Sequence, residues 1–499
     1  MTTYIDSARI KREVRRYFRY TMLSHKWERD EPLFHLVVST TVYKLDRSPT
    51  HHKLQMFCGI ARRAGFKWAW SDTCCINKAD HFVFQEALVA MFRWYQDADM
   101  VIVFLRGVHS PAQRGALANS IWNSRAWTLQ EYIAAKTIQF YTEDWKLYLN
   151  LELPNHKESP EIISEMTQVT GVPAQKLMEL RPGLSSIREK LRLASTRHTT
   201  LVEDAAYSLL GIFSVTGIPA IYGEGDGSLG RLLAHILTGS GDASILAWTG
   251  ESGSFNSCLP AHITVFKDLA SSHLPPPLPD DEMEEIITAS HSPSFNFNTA
   301  LELYDKLCKL PAPSFAASRM KLPCIAFQLP HLLPYQTRRG HIYRADTVPF
   351  GPVEINTRHD LSRRKLLYLI HPWFTILERE GMPNGAFAED DVVLPPSPDA
   401  DEGEIPDEEV QGTLLPREPE STSRAASLLV TLMDRETLAR RLIARLRQPF
   451  GALLVTPVSM GQHGMDYKRV AADSMIKVQF RESVSLADIL KNVQILDIL

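Results

Sequence analysis

Met100-Val101-Ile102-Val103-Phe104-Leu105 is an unbroken apolar run, followed at once by Arg106. A strand with one face in water alternates apolar and polar residues, whereas a strand covered on both faces does not. The run therefore predicts a strand buried inside a parallel sheet. Working outward, Tyr20–Ser24, Lys67–Asp72 and Thr137–Tyr141 are further strand candidates. Between the second and third lies a helical pattern, Phe84, Leu88, Met91, Phe92 and Tyr95, with Asp80 placed to cap it. Strands alternating with helices predict an α/β fold with a parallel sheet.

In such sheets ligands bind at the carboxyl ends of the strands. Polar residues sit at those ends here. The first strand runs into Ser24-His25-Lys26-Trp27 and the second into Asp72-Thr73-Cys74-Cys75. After the third comes Asn123-Ser124-Arg125-Ala126-Trp127-Thr128-Leu129-Gln130-Glu131. On a helix Trp127 and Glu131 share a face, and a carboxylate beside an aromatic wall is poorly solvated when charged. Ser24, Trp27, Asp72, Arg125, Trp127 and Glu131 are therefore the candidate site. The plainer reading makes Ser24 and Asp72 helix caps and the tryptophans core. Taken singly, each residue fits that reading as well.

The chain has 499 residues, 44% of them hydrophobic, which is enough for two or three domains with ordinary cores. A net charge of −4 gives no electrostatic footprint for nucleic acid. The basic N-terminal run (Arg9, Lys11, Arg12, Arg15, Arg16, Arg19) reads as a solvated helix face, because Asp6 and Glu13 interrupt it. No apolar run reaches the roughly 20 residues of a membrane span, and no signal-peptide pattern is present. The six cysteines fit neither a disulfide framework nor a zinc site, so the reading is reduced thiols in a cytoplasmic protein. Cys74 and Cys75 read as small buried hydrophobes. No metal spacing occurs among the histidines. Gly225-Asp226-Gly227-Ser228-Leu229-Gly230 matches G-x-G-x-x-G but follows no strand, so it reads as the glycine-rich start of a helix.

The expected organisation is an N-terminal helix or tail over 1–17, an α/β core over 18–150 and a helical extension over 151–250. A Pro-rich acidic linker over 251–289 follows. A β-rich C-terminal domain is expected from 290–387 and 425–499, interrupted by a disordered acidic and Pro-rich segment at 388–424. In its last part Asp434 is placed to cap a helix carrying Leu438, Leu442 and Leu446, with strands at Ala452–Pro457 and Met475–Phe480.

Three blocks, Tyr20–Trp27, Trp70–Asn77 and Arg125–Glu131, resemble in order the fungal heterokaryon incompatibility (HET) domain. The stretch from Arg197 to Gly225, with Glu203-Asp204-Ala205-Ala206-Tyr207-Ser208 and Ile221-Tyr222-Gly223-Glu224-Gly225, fits it too. Residues 18–250 carry the resemblance. Glu28, Ala126 and Lys78 depart from the residues common in the family. HET domains trigger cell death when unlike hyphae fuse. They are distantly similar to Toll/interleukin-1 receptor (TIR) domains, which implies a flavodoxin-like sheet. Catalytic TIR domains hydrolyse NAD+ through the glutamate of a W-C-x-x-E motif. Trp127-Thr128-Leu129-Gln130-Glu131 keeps its tryptophan and glutamate, so the resemblance implies Glu131 as the catalytic acid. NAD+ enters as a substrate, and no cofactor is implied.

Two functions follow as expectations. The first is a cell-death effector with TIR-like NAD+ hydrolase activity. The alternative is a non-catalytic signalling or assembly module, self-associating through the HET domain and answering to a protein trigger. A nucleotide sensor without turnover is a third reading.

Overall fold

The computed structural model describes residues 7–267, 297–330, 332–337, 340–362, 364, 366–373, 435–461 and 464–499. Strands β1 (Tyr20–His25), β2 (Trp68–Trp70), β3 (Met100–Leu105) and β4 (Ile138–Thr142) form a four-stranded sheet in the order β2-β1-β3-β4. Every pairing in it is parallel. The apolar run is β3, central and buried along its whole length. The strand order reverses at β1, so the crevice beyond the carboxyl ends of β1 and β3 is a topological switch point.

The sheet is covered on both faces because successive side chains point to opposite sides. Met22, Val101, Val103 and Leu105 face a core shared with the helices His81–Asp97 and Trp127–Ala134. Leu23, Met100, Ile102 and Phe104 face Leu54, Phe57 and Ile60 of the helix Pro49–Arg63. β2 is shorter than its expected range because only Tyr20, Thr21 and Met22 of β1 reach it, at the exposed sheet edge. Asp80 caps the helix His81–Asp97 as expected, accepting from the backbone N–H groups of Phe82 and Val83.

The helical extension contains helices Pro160–Thr170, Ala174–Glu179, Ile187–Ser195 and Gly227–Ser240. The G-x-G-x-x-G run opens the last of these without a preceding strand. Its glycines have local causes. Gly225 takes positive φ (61°), as does Gly223 just before the run (100°), and their N–H groups both donate to Glu203 Oε1, at 3.0 and 2.8 Å. The chain's own carboxylate thus fills the donors that a phosphate would need. A Cβ on Gly230 would lie 2.3 Å from Phe255 Cβ.

Of the stretch expected as a linker, residues 251–267 are packed, with Cys258, Leu259, Ile263 and Phe266 buried. The apolar residues are spaced to meet the core, and proline content alone did not reveal that. The rest of that stretch, Asp434 and the segment 388–424 lie outside the described residues. Helix Phe297–Cys308 replaces β-structure expected near 300. Ala300, Leu303 and Leu307 recur at helical spacing and are buried.

Beyond it the chain is β-rich, with β5 (Ser314–Ala316), β6 (Arg319–Gln328), β7 (Leu333–Thr337), β8 (Gly340–Thr347), β9 (Gly351–Thr357) and β10 (Tyr368–Pro372). Then come helix Arg435–Leu446, β11 (Phe450–Gly461), β12 (Gly464–Val470), β13 (Ile476–Val478) and β14 (Val493–Ile498). β6, β10, β11, β12 and β14 pair in a closed ring, a barrel-like arrangement, while β7, β8 and β9 form a separate antiparallel meander. The ring joins strands from both sides of residues 374–434. Arg469 on β12 ties it to the preceding region. Its guanidinium donates to the carbonyls of Leu246 at 2.9 Å and Trp248 at 2.7 Å, and lies 3.7 Å from the Trp248 ring centroid.

Candidate functional site

At the switch point the sheet presents a cavity of about 800 Å³, lined among others by Trp27, Asp72, Arg125, Trp127 and Glu131. Each arrives by a different local route. Ser24 is the fully buried penultimate residue of β1 and is not itself among the lining residues. Trp122 Nε1 donates to Ser24 Oγ at 2.6 Å, so the hydroxyl turns its own hydrogen to Glu131 Oε2. Glu131 sits on the buried helix Trp127–Ala134, one turn after Trp127, and both reach the cavity as the i, i+4 spacing requires.

Asp72 follows β2. Trp27 Nε1 donates to its Oδ2 at 2.5 Å, and His25 Nε2 lies 3.1 Å from its Oδ1. The other ring nitrogen of His25 faces Glu31 Oε1 at 3.5 Å. Lys53 is paired with Glu28 and Glu31 behind them. Lys78 Nζ lies 3.2 Å above the Trp27 ring centroid, so this departure from the family pattern places a cation at the cavity wall.

These surroundings push the two carboxyls apart. Burial disfavours a charged Glu131 and the Asp72 charge adds to it. Together they outweigh the help from Ser24, Arg125 and Arg197, and lift Glu131 from 4.5 to about 8. Burial also opposes charge on Asp72, but His25, Lys78 and the Trp27 bond overcome it and hold Asp72 below its usual value. At neutral pH the site therefore pairs a protonated acid with an ionised one. Two titratable groups driven apart in one cleft is the arrangement that acid and base roles require.

The opposite wall contains residues that the sequence reading did not assign. Asp204 accepts from Tyr222 Oη at 3.0 Å and from Trp127. Burial raises its pKa despite both bonds. Arg197 is buried and donates to Asn123 Oδ1 (2.9 Å), the Arg125 carbonyl (2.9 Å) and Thr128 Oγ1 (2.8 Å). It fixes the turn into the glutamate-bearing helix. Arg125 lines the cavity, and its Nε is buried with no hydrogen-bond partner. Phe84, Leu88 and Met91 form the apolar wall. Arg197, Asp204 and Tyr222 lie in the second quoted family stretch, but no spacing in it signalled a cavity.

One expectation is corrected nearby. Cys74 is buried, but Cys75 is exposed, its sulfur accepting the Ser71 backbone N–H at 3.4 Å. Arg106, which follows β3, turns away from the cavity to pair with Glu28 at 2.9 Å and with Glu143. Among the described residues, no group of three or more His, Cys, Asp or Glu is placed to hold a metal ion.

A family model described as heterokaryon incompatibility protein (HET) matches residues 20–114, which include Ser24, Trp27 and Asp72. The chain is 34% identical over 217 residues to the vegetative incompatibility protein HET-E-1 of Podospora anserina. That match covers 41% of this chain and 15% of the relative, so the chain spans only a small part of that protein's length. No solved structure matches. With the matched residues forming β1 to β3 and one rim of the cavity, the chain carries a heterokaryon incompatibility (HET) domain in its N-terminal part.

Proposed function

We propose that this protein acts in fungal vegetative incompatibility, as the name of its relative says of that protein, and that its HET domain is a TIR-like, flavodoxin-like enzyme that hydrolyses NAD+ in the switch-point cavity. The observation that carries the chemistry is Glu131, held by Ser24 at the cavity wall and lifted to about 8 while Asp72 beside it stays ionised.

Cleaving the nicotinamide–ribose bond sends the bonding electrons to the pyridinium ring, which leaves neutral, and builds positive charge on the ribose. Water then adds to that carbon and releases a proton. A cationic ring arriving beside Glu131 favours its ionised form, since an opposite charge lowers a carboxyl pKa. The carboxylate then stabilises the ribose cation, with Ser24 and Trp122 holding its orientation. Trp27 and Trp127 offer aromatic walls, and the unpaired Nε of Arg125 is a donor available to a polar substrate group.

The test is release of nicotinamide from NAD+ by the purified protein. Glu131→Gln should lower it about a hundredfold or more while the protein stays folded. If wild type releases no nicotinamide yet both proteins trigger cell death equally, the non-catalytic assembly reading takes its place.

A further inference from the structure

The helix Ser7–Tyr17 is not used by the cavity. Ile10, Val14, Tyr17 and Phe18 fall within about a quarter-turn-wide stripe at the helical period. Apolar residues so arranged normally face a core, yet these four are 48–56% exposed. The stripe continues onto the body of the domain. Phe18 stacks on Trp68 at 5.9 Å, Tyr17 meets both rings edge-on, and Trp68 is itself 47% exposed. Lys67 Nζ lies 4.5 Å from the Tyr17 ring centroid. Arg12 and Arg16 are exposed on the opposite side of the helix. From Ser7 to Arg19 the sequence has six basic residues and one acidic one, in a chain whose net charge is −4.

We propose that this helix is a peripheral anchor that lies on an anionic lipid surface, its stripe and the Tyr17–Phe18–Trp68 patch entering the headgroup boundary. An apolar stripe backed by arginines, with aromatic residues at its edge, is what such an interface selects. Pairing with a second copy would bring two strongly basic helices together, at an electrostatic cost. A nucleic acid would use the charge but leave the apolar stripe in water. Among the described residues no helix is long and apolar enough to cross a membrane, so the contact is a surface one.

The experiment is co-sedimentation of the full chain with phosphatidylcholine vesicles, made with and without phosphatidylserine, at low and high salt. The protein should follow the phosphatidylserine vesicles and release as salt screens the charges. Arg12→Gln with Arg16→Gln should weaken binding about fivefold per arginine. Ile10→Ser with Val14→Ser, which removes no charge, should weaken it about tenfold. Both double variants change exposed positions, and their melting temperature should match wild type. Equal binding to both vesicle types overturns the proposal. So does wild-type binding by the serine variant, which would indicate a polyanion contact by charge alone. Sedimentation without vesicles overturns it in favour of self-association.

Discussion

Glu131→Gln should make the protein more stable at alkaline pH, and the size of that gain follows from the site. Folding moves Glu131 from a carboxyl that titrates near 4.5 to one that titrates near 8. Between those values the folded chain holds a proton that the unfolded chain has released. Stability attributable to this group is therefore fully present below about 4.5 and falls as pH rises through about 8. At 1.36 kcal/mol per pH unit, the loss approaches about 5 kcal/mol above pH 8. Glutamine has nothing to titrate, and its carbonyl can accept the Ser24 bond. Urea unfolding of both proteins from pH 4 to 9 should give curves that coincide near pH 4, diverge from about 4.5 to about 8 and run parallel above that, with the variant more stable. A gain at high pH accompanied by lost NAD+ cleavage is the trade expected of a group strained for function. Parallel curves across the range would refute the reasoning, because Glu131 would then ionise as readily in the fold as out of it.

Asp72 behaves in the opposite sense. Its depressed pKa gives stability that is present above the unfolded value and lost as pH falls, so Asp72→Asn should cost about 2 kcal/mol at neutral pH and less in acid. Removing that charge should also move the Glu131 titration in the fold to lower pH, read as a divergence in the Glu131→Gln comparison that levels off at lower pH. Gly211→Ala places a Cβ 2.2 Å from Phe92 Cβ, on the helix that walls the cavity, and should cost about 1 to 3 kcal/mol. An unchanged urea midpoint would show that the helix His81–Asp97 yields freely.

The sheet was legible because β3 is apolar throughout, and only a strand with both faces covered needs that. The end-of-strand rule then brought Ser24 to Glu131 and Asp72 to the same cavity, three segments that sequence separates widely. Arg197 and Trp122 were not legible. Each acts through bonds to a distant carbonyl or hydroxyl, and a buried arginine looks in sequence like any exposed one. Asp204 was quoted only within a family stretch, since its place beside Trp127 depends on how the helical extension folds back. The helix Phe297–Cys308 was missed because its three buried residues are short in reach and interrupted by polar ones. Ile10, Val14 and Tyr17 were obscured by the arginines between them, whose count drew the reading toward a solvated face.

The closed ring of the C-terminal region sets an order of events during synthesis. β1 to β4 are complete once Thr142 has been made, and the last cavity-lining residue, Tyr222, follows soon after. The ring needs β14 beside both β6 and β12, so it cannot close until Ile498 has emerged. At about 5 to 20 residues per second, roughly 14 to 55 s separate the completion of the cavity at Tyr222 from that closure. Through that interval the carbonyls of Leu246 and Trp248 lack Arg469, and the apolar side chains around Cys258 and Phe255 lack the strands that later cover them. The nascent chain thus holds a finished cavity above an unfinished base, and that base is where a chaperone would be needed.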